Sequence, residues 1–457
     1  MKKFRLILTL PAVMLAVSLK GQNLHQMACQ GDLARLDSLM GDTISINVLD
    51  RYDRSLLHYA VACQQEQVFN YLIEKGIDIN IEENRGWTPL LLAILNSNQE
   101  YIKLLQAMDA KANYNHTDPH GTSVLMTAVL NGNLSAVKLL IENGANVNDV
   151  NERGSSPLSI AQREGLVEIA DFLISKGAKK SNEPTPKLKG DYMGQEEPGR
   201  TPKMFAPGVV STESRTQNAV FHPNGKEFYY TVESRRTNGG TIMVSKMNKK
   251  VWSKPAPMDI SGEYREVDPF ISPDGMKLYY CTDRPLAGSD SVQGHVDIWV
   301  MDRNGDSWGE PVRLSDEINT DYFDWFPSVS ENGNFYYSSN GNVYYSELKN
   351  GIYQKAEWIS VNSNHVDYDP FIAPDESYLI FASNRSGGIG GNDLYISFKE
   401  EDGSWATPKN MGASINSEST DFAPSLSPDG KYFFFSSGKE GSVDVYWVDS
   451  NIITELK

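Results

Sequence analysis

Six carboxylates recur at matched positions in the second half of the chain. Glu266, Asp268, Asp324, Asp367, Asp369 and Asp421 each lie four or six residues ahead of the first residue of a turn; ahead of the first such turn, Thr216 and Asn218 hold the two positions. Paired carboxylates can hydrolyse a glycosidic bond, one acting as acid and the other as base or nucleophile. A ring of carboxylates can instead concentrate cations. Other reactive patterns are missing from the sequence. It has no G-x-S-x-G elbow, no H-E-x-x-H and no paired-cysteine motif. His222, His295 and His365 lack ligand spacing. No Gly-Lys-Ser/Thr follows the glycines at 387–391, so that stretch reads as a flexible hairpin, not a phosphate loop. Asp302, Asn304 and Asp306 have calcium-loop spacing, but the glycine falls at 305 and no closing Glu is in place, so an Asn-Gly turn is expected. The sequence predicts no catalytic residue, no cofactor and no metal site.

The turns that set these acids in register repeat five times: His222-Pro223-Asn224-Gly225, Ser272-Pro273-Asp274-Gly275, Ser330-Glu331-Asn332-Gly333, Ala373-Pro374-Asp375-Glu376 and Ser427-Pro428-Asp429-Gly430. Proline pre-sets the second turn position, and Asp, Asn and Gly suit the third and fourth. An aromatic or apolar run follows each turn, such as Phe228-Tyr229-Tyr230 and Phe433-Phe434-Phe435. Such runs need cover on both faces. A third strand opens near Asp297, Asn342, Asp393 and Asp444, and a fourth near Trp252, Trp308 and Trp405. Four strands per unit of about 50 residues is the pattern of a propeller blade.

The Ser-Pro-Asp-Gly turn with its aromatic strand resembles the TolB-type, WD40-like repeat of bacterial envelope proteins. The third unit lacks the proline and the fourth the glycine. The resemblance implies an all-β propeller over 207–450, with five blades, or six if a long loop holds a degenerate one. The last unit has no fourth strand, and Val209-Val210 is expected to supply it and close the ring. Some TolB-like propellers carry a hydrolase domain, which the missing G-x-S-x-G elbow excludes here. Innermost strands line a propeller's channel, so the six acids are expected to ring one mouth and to serve as a partner-binding site, with a cationic ligand as one occupant. The alternative reading is that they cap loop backbones within their own blades.

The first half repeats at another period. Gly86-Trp87-Thr88-Pro89-Leu90-Leu91-Leu92-Ala93 and Gly154-Ser155-Ser156-Pro157-Leu158-Ser159-Ile160-Ala161 are the clearest copies, and the closing alanines fall at 28, 60, 93, 128 and 161. A second apolar stretch and a stop such as Asn143-Gly144 follow. This resembles the ankyrin repeat, in four copies plus a degenerate first. Thr-Pro starts a helix, alanine lets two helices approach, and glycine ends the second helix in a left-handed conformation. Asp109 stands where that glycine is expected. The resemblance implies an all-α solenoid over 23–181 whose concave face and turn tips bind partners. Tyr52, Arg54, Arg85, Trp87, His120 and Arg153 are the candidate contacts, since exposed Arg and aromatics make favoured anchors; Trp87 can equally pack between repeats.

Lys2, Lys3 and Arg5, the apolar run 6–19 and a polar exit make 1–22 a signal-peptide pattern, with cleavage expected near Gly21 or Gln22. Residues 182–206, rich in proline and charge, read as a linker, and 451–457 as a tail. No later stretch is apolar enough to span a membrane. Residues 182–457 carry 25 Lys and Arg against 40 Asp and Glu, a formal charge of −15. Nucleic acid is therefore excluded as a partner. Cys29 and Cys63 can bridge, but two buried small residues is the preferred reading. Together these features predict an exported, non-catalytic scaffold, periplasmic, outer-envelope associated or secreted, with protein partners such as envelope components. The alternative is a propeller glycoside hydrolase. Against it, no carboxylate sits in a sequence setting apolar enough to raise its pKa.

Overall fold

A computed structural model describes residues 24–457 except 41–44, 51, 85, 108–109, 111, 119, 180–187, 213, 234–238, 261–262, 287, 289–290 and 440–441. The signal-peptide pattern, Arg85, Asp109 and residues 182–187 of the expected linker lie outside the described residues. The chain divides into two units near 183.

The first unit is an array of five helix pairs: Leu24–Gln30 with Leu33–Met40, Leu56–Ala62 with Glu66–Glu74, Pro89–Leu95 with Gln99–Ala107, Val124–Leu130 with Leu134–Glu142, and Pro157–Arg163 with Val167–Ser175. Thr88, Ser123 and Ser156 cap their helices by accepting the N–H three residues on, and Pro89 and Pro157 occupy the first turn. The closing alanines 28, 60, 93, 128 and 161 are fully enclosed, as close helix approach requires. Gly144 takes φ of +90° after its helix, a conformation costly to any residue with a Cβ.

Cys29 and Cys63 form a disulfide, with Cα atoms 5.1 Å apart. This corrects the preferred reading of two unbonded cysteines. Cys29 follows Ala28 by one residue and Cys63 follows Ala60 by three, so stacking of the first two repeats brings the two helix ends together.

The second unit is a five-bladed propeller of four-stranded antiparallel sheets. From the inside outward, blade one is Arg215–Phe221, Glu227–Glu233, Thr241–Asn248 and Ala256–Pro257. Blade two is Glu266–Ile271, Lys277–Thr282, Asp297–Asn304 and Val312–Arg313. Blade three is Asp324–Val329, Phe335–Ser339, Asn342–Ser346 and Glu357–Trp358. Blade four is Asp367–Ile372, Tyr378–Ser383, Asp393–Phe398 and Lys409–Asn410. Blade five is Asp421–Leu426, Tyr432–Ser437 and Asp444–Asp449, completed by Lys203–Met204 from the start of the unit. The innermost strands neighbour one another in chain order, and the last meets the first.

The closing strand is therefore Lys203–Met204, which pairs with Trp447 and Tyr446, and not Val209-Val210. Residues 206–211 turn back on themselves, with the Val209 and Val210 N–H groups donating to the Ala206 carbonyl. That leaves no extended segment there to pair. Phe205 anchors the closure: it is fully enclosed among Phe221 and Phe228 of blade one and Phe434 and Trp447 of blade five. The expected linker is thus folded from Leu188 onward. Trp252 N–H donates to the Leu188 carbonyl at 2.7 Å, and the Tyr192 hydroxyl donates to Asp429 at 2.6 Å. The expected tail includes a short helix, Asn451–Thr454, that buries Ile453.

Candidate functional site

Every inner strand of the propeller is bulged at the same place. The strand register shifts between Gln217 and Val220, Val267 and Phe270, Trp325 and Ser328, Tyr368 and Phe371, and Phe422 and Ser425. The bulge residues Asn218, Asp268, Phe326, Asp369 and Ala423 all lie in the left-handed region, with φ between 50° and 57°. Proline follows four of the five, and a proline in a central strand is tolerated at a bulge. The bulge frees a backbone N–H, and the preceding blade's second strand takes it up. Asn218 N–H donates to Ser436 Oγ, Asp268 to Thr231 Oγ1 and Asp369 to Ser338 Oγ, at 2.8–3.1 Å. Phe326 N–H donates to the Cys281 thiol. At the fifth junction Ala382 offers no acceptor, and Ala423 N–H donates to Asp369 Oδ2.

The six expected acids separate into two groups. Glu266, Asp324, Asp367 and Asp421 open their inner strands and are fully enclosed. Asp324, Asp367 and Asp421 accept the N–H of Thr320, Ser363 and Ser417, four residues earlier, at 2.6–2.7 Å. Arg385 pairs with Asp367 at 2.6 Å, and Arg284 with Glu266 at 3.5 Å. Asp324, Asp367 and Asp421 fasten the loop that enters their blades, Glu266 is held by Arg284, and none of the four is displayed at an open mouth. Asp268 and Asp369 sit instead on the bulges, each 1% exposed. Asn218, Phe326, Asp369 and Ala423 line a narrow cavity of about 20 Å³ in the channel, room for one water-sized occupant.

Several of these carboxyls are harder to ionise than usual, contrary to the sequence reading. Burial pushes Asp268 up to about 7, against a hydrogen bond from Asn218 and the field of Arg265. Burial and then the charge of Asp268 hold Asp369 well above the usual carboxylate range, against the Ala423 N–H and Arg215. Burial also raises Asp324, to about 6, and Asp421. The apolar setting around the channel is assembled from several blades at once, with Phe270, Phe326, Pro370 and Pro424 converging there.

Three asparagines that sequence reasoning missed complete the blades. Asn319, Asn362 and Asn416 each accept a third-strand N–H and donate to the same residue's carbonyl: Ile298, Val343 and Leu394, at 2.7–3.0 Å. Each carboxamide stands in for a neighbouring strand. The signal was present as Asn-Ser/Thr-x-x-x-Asp at 319–324, 362–367 and 416–421.

On the helical unit, Tyr52, His120 and Arg153 occupy one repeated fingertip position, two residues after Asp50, Asp118 and Asn151. Each of those side chains accepts two backbone N–H groups and so fixes its tip. Tyr52 is exposed, and His120 faces Glu152 at 3.4 Å. Arg54 is committed internally: it pairs with Asp50 at 2.7 Å and lies over the Tyr52 and Tyr59 rings. Trp87 packs half-buried against the core, and its carbonyl accepts His58 Nε2–H.

Residues 24–118 and 104–183 match the family model for ankyrin repeats. The chain is 34% identical over 139 residues to the intracellular phospholipase A2 of Caenorhabditis elegans, a match covering 29% of this chain and 13% of that protein. It is 29% identical over 189 residues to the B-cell lymphoma 3 protein homolog of Mus musculus, covering 40% and 42%. It is 26% identical over 190 residues to the ankyrin repeat protein YahD of Escherichia coli (strain K12), covering 33% and 94%. Among the described residues no helix is long and apolar enough to cross a membrane, and no three of His, Cys, Asp and Glu converge as a metal cage.

Proposed function

We propose that the chain is a non-catalytic scaffold that binds protein partners through its ankyrin fingertips and its propeller. The observation that carries this reading is the pairing of a solenoid, whose tip residues recur in register, with a propeller whose acids are enclosed. Ankyrin arrays bind through such repeated tips and do not require catalysis. Tyr52, His120 and Arg153 stand in one row, and Arg85 holds the same place in the sequence. The propeller's turns support a TolB-type identity, and with it a partner in the bacterial envelope. The N-terminal address supports export to the periplasm or cell surface, as does the Cys29–Cys63 disulfide, since disulfides persist in oxidising compartments. A cationic ligand in the propeller channel belongs to the same reading.

The raised pKa values of Asp268 and Asp324 favour a second reading, a glycoside hydrolase, since a general acid must hold its proton near neutral pH. Their enclosure weighs against it: Asp268 and Asp324 are 1% and 0% exposed, out of reach of a sugar ring. The test uses the full chain and a Tyr52→Ala, Arg85→Ala, His120→Ala, Arg153→Ala variant. Cross-linking in envelope extracts should capture a discrete protein with the first and lose it with the second, at unchanged melting temperature. Oligosaccharide turnover abolished by a single carboxamide substitution would establish the hydrolase instead.

A further inference from the structure

We infer that the outer end of the seam between blades two and three, around Trp358, docks a basic side chain of a partner protein, an arginine or lysine presented beside an apolar residue. The inference deepens the propeller half of the scaffold reading above and rests on it.

The strand register isolates Trp358. One fourth-strand position recurs in blades two, three and four as Arg313, Trp358 and Asn410, opposite Trp299, Tyr344 and Tyr395. Each donates to the side chain that opens its blade's third strand: Arg313 to Asp297 at 2.6 Å, Trp358 to Asn342 at 3.2 Å and Asn410 to Asp393 at 2.8 Å. The structural duty is thus one N–H, which a carboxamide meets in blade four. Trp358 meets it with its indole nitrogen and leaves the side chain 55% exposed. The hydrogen bond fixes the ring, so little side-chain freedom is left to lose on binding.

The other tryptophans of the propeller show what this ring lacks. Trp252 and Trp447 are enclosed. A cation of the chain lies over each of the rest: Arg284 over Trp299, Arg303 over Trp308, Arg265 over Trp325 and Lys399 over Trp405, at 4.7–5.5 Å. Among the described residues no Arg or Lys lies over Trp358. Indole is the best side-chain ring for a cation, and with its N–H committed, the open face is what Trp358 offers a partner.

The surroundings choose a basic partner. Val312 is exposed on the fourth strand of blade two, opposite Val300, and Val300 and Tyr344 pack onto one cluster with Tyr279 and Tyr337. Val312 and Trp358 therefore flank the same seam. The Ala356 N–H, in blade three, donates to the Glu317 carbonyl, in the loop leaving blade two, at 3.2 Å. Segments 310–317 and 355–358, which border the seam, hold four carboxylates and two cations, a formal charge of 2 − 4 = −2. Arg313 is committed to Asp297 and Asp316, while Glu317 is exposed and has no ion pair among the described residues. A cation gains from the ring and from these carboxylates alike. A neutral sugar can also lie on an indole, but it gains nothing from the charge.

The experiment titrates the full chain, isotope-labelled at tryptophan, with the blocked peptide Gly-Arg-Val-Arg-Val-Gly at physiological salt. Binding is read at the indole N–H signals by NMR, and Trp358→Phe assigns the one that matters. The Trp358 signal should shift and saturate, while those of the enclosed Trp252 and Trp447 stay in place. The same peptide with neutral citrulline for arginine should bind at least about fivefold more weakly. Trp358→Ala should weaken the arginine peptide about threefold or more, followed by calorimetry, and Glu317→Gln should weaken it too. Glu400→Gln with Glu401→Gln, a larger charge change on exposed acids of blade four, should leave it unchanged. If Trp358→Ala lowers the melting temperature, the citrulline comparison on the unaltered chain decides. A still Trp358 signal at tens of millimolar peptide would overturn the inference. So would equal binding of the citrulline peptide, equal weakening by the blade-four pair, or a Trp358 signal that moves with chitotetraose and not with the arginine peptide. Failure here with fingertip-dependent capture intact removes this site alone. Peptide binding at Trp358 without fingertip-dependent capture would remove the ankyrin half of the reading and leave this site standing.

Discussion

The carboxylate of Asp369 accepts the backbone N–H of Ala423, in the next blade, at 3.2 Å. At the other four junctions a small side chain of the preceding blade's second strand takes that role: Ser436, Thr231, Cys281 or Ser338. Blade four has Ala382 at that place, so its bulge carboxylate substitutes for the missing hydroxyl. The residue that ties two blades together thus also lines the channel cavity.

This arrangement predicts a rescue. Asp369→Ala leaves the Ala423 N–H buried without an acceptor, while Asp369→Asn keeps a carboxamide oxygen in place. The alanine variant should be less stable than the asparagine variant by about 1–3 kcal/mol. Ala382→Ser, added to Asp369→Ala, restores the hydroxyl present at the other junctions and should recover part of that loss. Urea unfolding of the single and double variants measures both. Equal stability of the Ala and Asn variants, or no recovery with serine, would show that the hydrogen bond contributes nothing.

Ring closure gives a second expectation. Phe205 fills the seam between the first and last blades, and its neighbour Met204 pairs with Tyr446. Phe205→Ala should cost about 3–5 kcal/mol, the range for emptying an aromatic site in a core. Removing 188–206 exposes the edge of blade five and should abolish the cooperative propeller transition in a urea titration. A truncated chain that unfolds like the intact one would mean that blade five needs no fourth strand.

The repeats were legible because each carries its own local physics. Thr-Pro caps, closing alanines and Pro-Asp-Gly turns announce an element whatever its neighbours are. The closing strand was not, because Lys203-Met204 has no strand signature of its own and is held by Phe205 and by the edge of blade five. Val209-Val210 looked more like a strand and is a turn. The acids were found by spacing, but positions six and four before the turn were read as one ring. Only the bulge separates them, placing Asp268 and Asp369 on the bulges themselves and leaving Asp324 and Asp421 on their loops. Its sequence trace, the prolines at 269, 327, 370 and 424 inside apparent central strands, was available. The raised carboxyl pKa values were beyond local reading, because apolar residues from different blades create them.

The disulfide gives a third expectation. Cys29 and Cys63 are 34 residues apart, and in the chain-entropy account closing such a loop contributes about 4 kcal/mol. Reduction should lower the melting temperature of the helical unit and leave the propeller transition in place. Mass spectrometry after alkylation of unfolded, unreduced protein should find one free thiol, Cys281. Three alkylated cysteines before reduction would show that the bond does not form in the isolated protein.

The last expectation concerns acid. His58 is buried between the second and third repeats, its Nε2 2.9 Å from the Trp87 carbonyl and its Nδ1 3.2 Å from the Ser55 nitrogen. That pattern fits a neutral ring with the proton on Nε2. Burial pulls its pKa down to about 4, against the pull of the Trp87 carbonyl. Burial lowers His25 in the same unit as well. In the unfolded chain a histidine titrates near 6.5. Between about 4 and 6.5 the unfolded state therefore binds more protons than the folded one, and stability falls as pH falls through that window. Above 6.5 the contribution of the neutral ring is fully present; below 4 the loss levels off. For His58 alone the drop is about 3 kcal/mol. Urea midpoints followed by helical circular dichroism at pH 7.5, 5.5 and 4.5 should show a progressive decline. The His58 ring protons, followed by NMR in the folded protein, should not titrate above pH 5. A His58 that titrates near 6.5, or a helical unit equally stable at pH 7.5 and 4.5, would show that the ring is open to solvent and does not join the two repeats.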